Sequence, residues 1–171
     1  MNKADMLENL KIFVQDSTRS MVWKTSVQRE DQLELEEVRP LAVYLQALPD
    51  MKSWQKKAPY VILQVLTGTD KQDTGDTPKS SCTFRMVFCL YNEDAEQGMM
   101  EVLQLIEHVR IDLLRIQIIG KKYQLDMQEQ LSELFYSNES APYFGGEISG
   151  VFRMPSVDRE VYGWRKDTWD E

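Results

Sequence analysis

The clearest pattern in the chain is a run from Ala58 to Ile119 that alternates, breaks and then turns helical. Tyr60-Val61-Ile62-Leu63-Gln64-Val65-Leu66 is apolar at every position but Gln64. A run of this kind predicts a strand over Pro59–Thr67 covered on both faces, by a helix on one side and by a second sheet or a neighbouring subunit on the other. Gly68–Ser81 is polar, with Gly75, Pro78 and the aspartates Asp70, Asp73 and Asp76. Nothing in it can build a core, so it reads as a long mobile loop between paired strands. From Cys82 to Tyr91 strict alternation returns. Cys82, Phe84, Met86, Phe88 and Leu90 share one face, which is wholly apolar and predicted to meet the core; Thr83, Arg85, Val87, Cys89 and Tyr91 share the other.

The period then changes. Met99, Val102, Leu103, Ile106, Val109, Leu113 and Ile116 recur at intervals of three and four, predicting an amphipathic helix from about Ala95 to Ile116. Asn92 or Asp94 can cap its N-terminus, and Glu93, Asp94 and Glu96 complement the positive end of its dipole. Gly120 supplies a stop. Upstream, Met6, Leu7, Leu10, Phe13 and Val14 mark the apolar face of an N-terminal helix from Lys3 to about Thr18.

The remaining segments are less regular. Ser20–Glu37 is polar and acidic, fitting a solvated loop or a short extended stretch, or else an acidic contact surface. Leu41–Leu48 predicts a strand bounded by Pro40 and Pro49. Met51–Lys57 reads as a linker around Trp54. Lys122–Met127 predicts a short strand. Gln130–Tyr136 fits either a strand or a helical turn, with Leu131, Leu134 and Phe135 closer to helical spacing. Ala141–Met154 predicts a strand in which Gly145-Gly146 marks a bulge or a close backbone approach. Ser156–Glu171 carries Tyr162, Trp164 and Trp169 among charges, too aromatic for a purely solvating tail. The predicted fold is α+β: a mixed or antiparallel sheet packed on an N-terminal helix and one long central helix, with residues 1–155 as one domain and 156–171 as a C-terminal arm.

Composition narrows the functional classes. At 171 residues the chain suits one domain, large enough to bury roughly 70% of its unfolded surface. Twenty basic against 28 acidic residues give a net charge of −8. That balance disfavours sequence-specific nucleic-acid binding, because phosphate backbones are repelled. Two cysteines, Cys82 and Cys89, stand on opposite faces of one strand, roughly 23 Å apart at about 3.3 Å per residue. They cannot bridge within the chain and suit a reducing compartment such as the cytoplasm. No signal peptide and no membrane-length apolar run is expected.

Candidate chemistry is sparse. There is no glycine-rich phosphate loop and no CxxC pair, and the single histidine, His108, falls on the polar side of the central helix, where exposure is expected. The loop aspartates lack the alternating ligands and terminal glutamate of a calcium loop. Neither cysteine has a cationic activator nearby in sequence. The expectation is therefore a non-enzymatic protein without cofactor or metal, whose excess of apolar strand surface serves an interface. Candidate interaction residues are Asp70, Asp73, Asp76 and Lys79 in the polar segment and Trp164 and Trp169 in the arm.

Four runs together carry a resemblance: APYVILQVL (Ala58–Leu66), FRMVFCLYNED (Phe84–Asp94), QGMMEVLQLIEHVR (Gln97–Arg110) and APYFGGEISGVFRMP (Ala141–Pro155). Their order resembles the small tail-terminator and neck (head–tail joining) proteins of long-tailed bacteriophages, as encoded by prophages of Gram-positive bacteria. The resemblance implies a virion structural protein, made in the host cytoplasm. It also implies a homo-hexameric ring at the head-proximal end of the tail, with tail-tube and neck or connector proteins as partners. The segment Gly68–Ser81 would be its interaction arm. Ser20–Glu37 and the aromatic tail have no counterpart in that pattern. The alternative is a non-enzymatic adaptor or regulatory domain of a bacterial host that binds a protein through its acidic surface.

Overall fold

The computed structural model of the chain describes residues 2–25, 38–49, 58–72 and 77–157. Within them the fold is α+β, as the sequence predicts. Helix α1 (Lys3–Ser17) is capped by Asn2, whose side chain accepts from the Asp5 N–H at 2.8 Å. Its buried face is the predicted set Met6, Leu7, Leu10, Phe13 and Val14. Strands β1 (Trp23–Lys24) and β2 (Val38–Arg39) form a small antiparallel pair. Residues 26–37, within the acidic segment, lie outside the described residues, as do residues 50–57 with Trp54.

The main sheet begins with β3 (Ala42–Leu45), shorter than the predicted Leu41–Leu48 because Gln46 turns into the left-handed region at φ 64°. It continues with β4 (Tyr60–Lys71) and β5 (Lys79–Tyr91), which exceed their predicted lengths at the ends that face each other in sequence. Residues 68–71 and 79–81, expected in a mobile loop, are ladder: Gly68 pairs with Cys82, Asp70 with Ser80 and Lys71 with Lys79. Composition misleads here because threonine, serine and lysine suit an exposed antiparallel hairpin as well as a loop. A register shift between Val65 and Thr67 leaves Leu66 exposed at a bulge.

Helix α2 (Ala95–Ile116) follows the predicted bounds. Asp94 accepts from the Gln97 N–H at 2.8 Å, and Asn92 accepts from the Asp94 N–H at 3.0 Å. The helix stops at Gln117, which adopts φ 55°, three residues before the expected Gly120. Its buried face is Gly98, Val102, Leu105, Ile106, Val109 and Leu113. Leu103 and Ile116, expected in the core, are exposed instead, and Leu105 takes the inward position.

The chain then adds β6 (Ile118–Ile119), β7 (Tyr123–Leu125), β8 (Ser132–Phe135) and β9 (Tyr143–Met154). The order across the sheet is β3-β4-β5-β9-β7-β6, with β8 pairing beside β7 along the same edge of β9. Only β3–β4 is parallel, so the sheet is mixed. Segment 132–135 is a strand, not a helical turn, because the β9 edge offers it a ladder from Ser149 to Gly146. Strand β9 runs along β5 without a register shift, so the glycine pair marks close approach and not a bulge. A Cβ on Gly146 would stand 2.7 Å from Ile106 Cδ1 and 2.8 Å from the Leu134 carbonyl.

Both helices lie on one face of the sheet, α1 over β3 and β4 and α2 over β5 and β9. Between them and the sheet sits the main core, including Phe84, Met86, Phe88, Leu90, Phe144, Ile148 and Phe152. The predicted inward face of β5 is buried at every position. Each such side chain contributes roughly 1.5–3 kcal/mol relative to exposure. Phe84 and Phe152 pack with ring centroids 4.7 Å apart. The single histidine is not idle: the His108 Nε2–H donates to the Ser17 carbonyl at 2.8 Å, and the Ser17 hydroxyl donates to Asp112 at 2.8 Å, tying α1 to α2. A second tie joins the other end of α1 to β7. The Tyr123 hydroxyl donates to Asp5, and Lys122 Nζ lies 2.5 Å from the same carboxylate.

Candidate interaction surface

The outer face of the sheet, turned away from both helices, is set by the alternate residues of the same strands. Register places Tyr60 beside Cys89, Ile62 beside Val87 and Gln64 beside Arg85. It sets Tyr143 beside Tyr91 and Glu147 beside Val87. Three zones result.

The first is aromatic. Leu48, Ala58, Tyr60 and Cys89 form a second buried cluster, with Ala42, Tyr44, Ile62, Tyr91 and Tyr143 packed half-buried around it. Tyr44 meets Tyr60 edge-on at 6.2 Å between centroids, and Tyr91 meets Tyr143 at 5.4 Å. Burial raises the Tyr60 phenol well above its usual range and pushes the Cys89 thiol up to about 11, against a hydrogen bond from Tyr60 that acts the other way. Cys89 is therefore a protonated packing group at neutral pH. Cys82 on the inner face is also free, buried and raised by burial.

The second zone is a polar chain across the middle. Arg85 donates through Nε and Nη2 to Gln64 Oε1 at 3.0 and 2.7 Å, and Gln64 Nε2 donates to the Gln46 carbonyl at 2.9 Å. Arg85 Nη1 lies 3.8 Å from Glu147, which accepts from the Tyr136 hydroxyl at 2.6 Å. Burial, then the bond to Glu147, pushes Tyr136 up to about 12.

The third zone is the far end of the β4–β5 hairpin. Thr67 donates to Thr83 at 2.9 Å. Beyond it a shallow depression of about 680 Å³ is lined by Thr69, Lys71, Lys79, Ser81, Glu129 and Arg153. Arg153 is held by Asp126 at 2.7 Å, which keeps the Asp126 carboxyl below its usual range. Lys71 and Lys79 stand directly opposite each other, an arrangement that costs stability in an isolated ladder.

Two of the six predicted interaction residues fall within the described chain, and the structure separates them. Asp70 is exposed in β4 and accepts from the Ser80 hydroxyl at 2.5 Å, on the parity of the inner face. Lys79 opens β5 on the outer parity. They do not form one binding cluster. Asp73, Asp76, Trp164 and Trp169 lie outside the described residues. Sequence reasoning missed Tyr44, Tyr60, Tyr91 and Tyr143 as a group. Their signal was present as tyrosine on the outward parity of four strands, but which strands adjoin is a matter of topology.

Among the described residues no three His, Cys, Asp or Glu side chains are grouped to hold a metal ion, and no helix is long and apolar enough to cross a membrane. No protein-family model matches this sequence, and no curated protein matches it significantly.

Proposed function

We propose that the protein is a non-catalytic structural subunit of a long-tailed bacteriophage, a tail terminator or completion protein. In this reading it forms a hexameric ring at the head-proximal end of the tail and joins it to the neck. It acts in the virion after synthesis in the host cytoplasm. The sequence resemblance supplies the family. The observation that carries the reading is the outer sheet face, where, among the described residues, no helix covers the aromatic zone, and where the far part of the β4–β5 hairpin leaves every β4 residue from Leu66 to Lys71 exposed. Continuous aromatic and polar surface of this kind suits a standing protein–protein contact. The acidic balance fits a ring through which DNA passes without being gripped.

Mixing the purified chain with tail-tube protein, followed by light scattering and negative-stain microscopy, tests it. Rings, or tubes capped at one end, are the expected outcome. A strict monomer at high concentration that also ignores tail tubes overturns the reading, as does a gene neighbourhood of metabolic enzymes instead of portal, tube and tape-measure genes.

A further inference from the structure

A groove of about 540 Å³ lies where β6, the last strand of the sheet, meets the later turns of α1 and the end of α2. The core residues Phe13 and Ile119 line it together with Ile12, Ile116 and Ile118, which are 56%, 52% and 48% exposed. Its rim carries both signs of charge. Asp112 and Arg115 bind each other there at 3.1 Å, and Asp16 and Lys121 add one charge of each sign. An apolar recess with a few polar groups around it has the make-up of a binding groove.

The chain leaves the sheet beside this groove. Arg153, one residue before the end of β9, pairs with Gln124 of β7, and Gln124 pairs with Ile118 of β6. Two strand spacings, about 10 Å, therefore separate the departing backbone from a residue that lines the groove. Beyond Val157 the sequence continues through residues 158–171, whose aromatic side chains the described fold does not use. Counted from Arg153, extended chain reaches about 36 Å at Trp164 and about 53 Å at Trp169, so both indoles span the gap. An indole joins a large apolar ring to one N–H donor, which suits a recess that is apolar inside and polar at its edge. The charges also match. Trp164 is followed by Arg165 and Lys166, opposite in sign to Asp16, and Trp169 is followed by Asp170 and Glu171, opposite in sign to Lys121. A segment tethered this close stands at about millimolar local concentration, which a separate partner would have to exceed.

We propose that residues 158–171 dock in this groove of their own chain, with Trp164 and Trp169 against Ile12, Ile116 and Ile118. Docking there covers the β6 end of the sheet and ties the arm to both helices. It leaves the tyrosine zone of the outer face free, so it goes beyond the ring reading and does not depend on it.

Trypsin digestion of the full chain, followed by mass spectrometry, tests the docking, because cleavage after Arg165 and Lys166 requires the arm to be released. Cleavage at these sites is expected to be at least about tenfold faster in Ile12→Glu with Ile118→Glu than in the wild-type chain. Trp164→Ala with Trp169→Ala is expected to give the same gain while leaving the α+β domain unaltered, so it decides the matter if the isoleucine variant misfolds. Equal rates in the wild-type chain and the tryptophan variant overturn the proposal. Carbodiimide cross-linking of the wild-type chain, mixed with a ¹⁵N-labelled copy, reads the occupant directly. Links from Lys166 to Asp16, or from Lys121 to Asp170 or Glu171, are expected within one isotopic species. Their absence overturns the docking, and links found only between species overturn it in favour of an arm exchanged between copies. Either result leaves the ring reading to its own test with tail tubes.

Discussion

The two faces of the β4–β5–β9 sheet are made from alternate residues of the same strands, yet they are built to different ends. On the inner face Phe84, Met86, Phe88, Ile148 and Phe152 are fully buried against the helices. Polar groups are absent from that run, so its stability comes from area removed from water and from close packing. On the outer face Gln64, Arg85, Glu147 and Tyr136 are tied together by hydrogen bonds and the Arg85–Glu147 ion pair, with half-buried tyrosines at one end and opposed lysines at the other. One face is complete within the chain. The other keeps aromatic area and donors at the surface, where a partner can use them.

Substitutions graded by face test that contrast. The largest effect is expected inside. Phe84→Ala leaves a cavity against Phe152 and is expected to cost about 3–5 kcal/mol in denaturant unfolding. Next is Gly146→Val, whose Cβ meets Ile106 and the Leu134 carbonyl; overpacking of roughly 1–3 kcal/mol should appear, with hydrogen exchange quickening in β8. If Gly146→Val proves neutral, the close approach of α2, β8 and β9 is not a constraint. Titration gives a third, smaller effect that samples both faces. Tyr136 outside and Tyr123 beside α1 are each raised to about 12 from 10.0. A phenol raised in the folded state contributes stability that is full below pH 10 and is lost as pH rises through 12. Thermal midpoints should therefore fall over that window, and fall less in Tyr136→Phe or Tyr123→Phe. The smallest effects belong to the partly exposed outer charges. Arg85→Ala is expected to cost no more than about 1 kcal/mol, and Lys79→Ala to change stability by under about 0.5 kcal/mol. Both should matter more to binding than to folding, and a large loss of stability in either would erase the contrast.

Period and alternation made most of the elements legible. The apolar parity of β5, the inward face of α1 and the ends of α2 all follow from side-chain spacing, a local property that the backbone enforces. The errors share one cause. Residues 68–71 and 79–81 look like loop until each strand is given its partner; 132–135 stays open between strand and helical turn until the β9 edge is offered to it. Leu103 looks like core until the helix is docked with Leu105 inward. The candidate surface was less legible still. Asp70 and Lys79 are neighbours by composition and fall on opposite parities, while the tyrosines come from β3, β4, β5 and β9, up to about a hundred residues apart in sequence.

What the sequence by itself determined is therefore the set of pieces: two amphipathic helices, a strongly alternating central strand, and a net charge of −8 that sets the chain against phosphate. Those depend on local periodicity and composition, which need no partner to be read. Only the tertiary structure decided the order β3-β4-β5-β9-β7-β6, the length of the β4–β5 hairpin, and the meeting of four tyrosines on one face. Strand pairing and helix docking are contacts between distant segments. Their outcome rests on which edges and faces remain to be covered once the rest of the chain is in place.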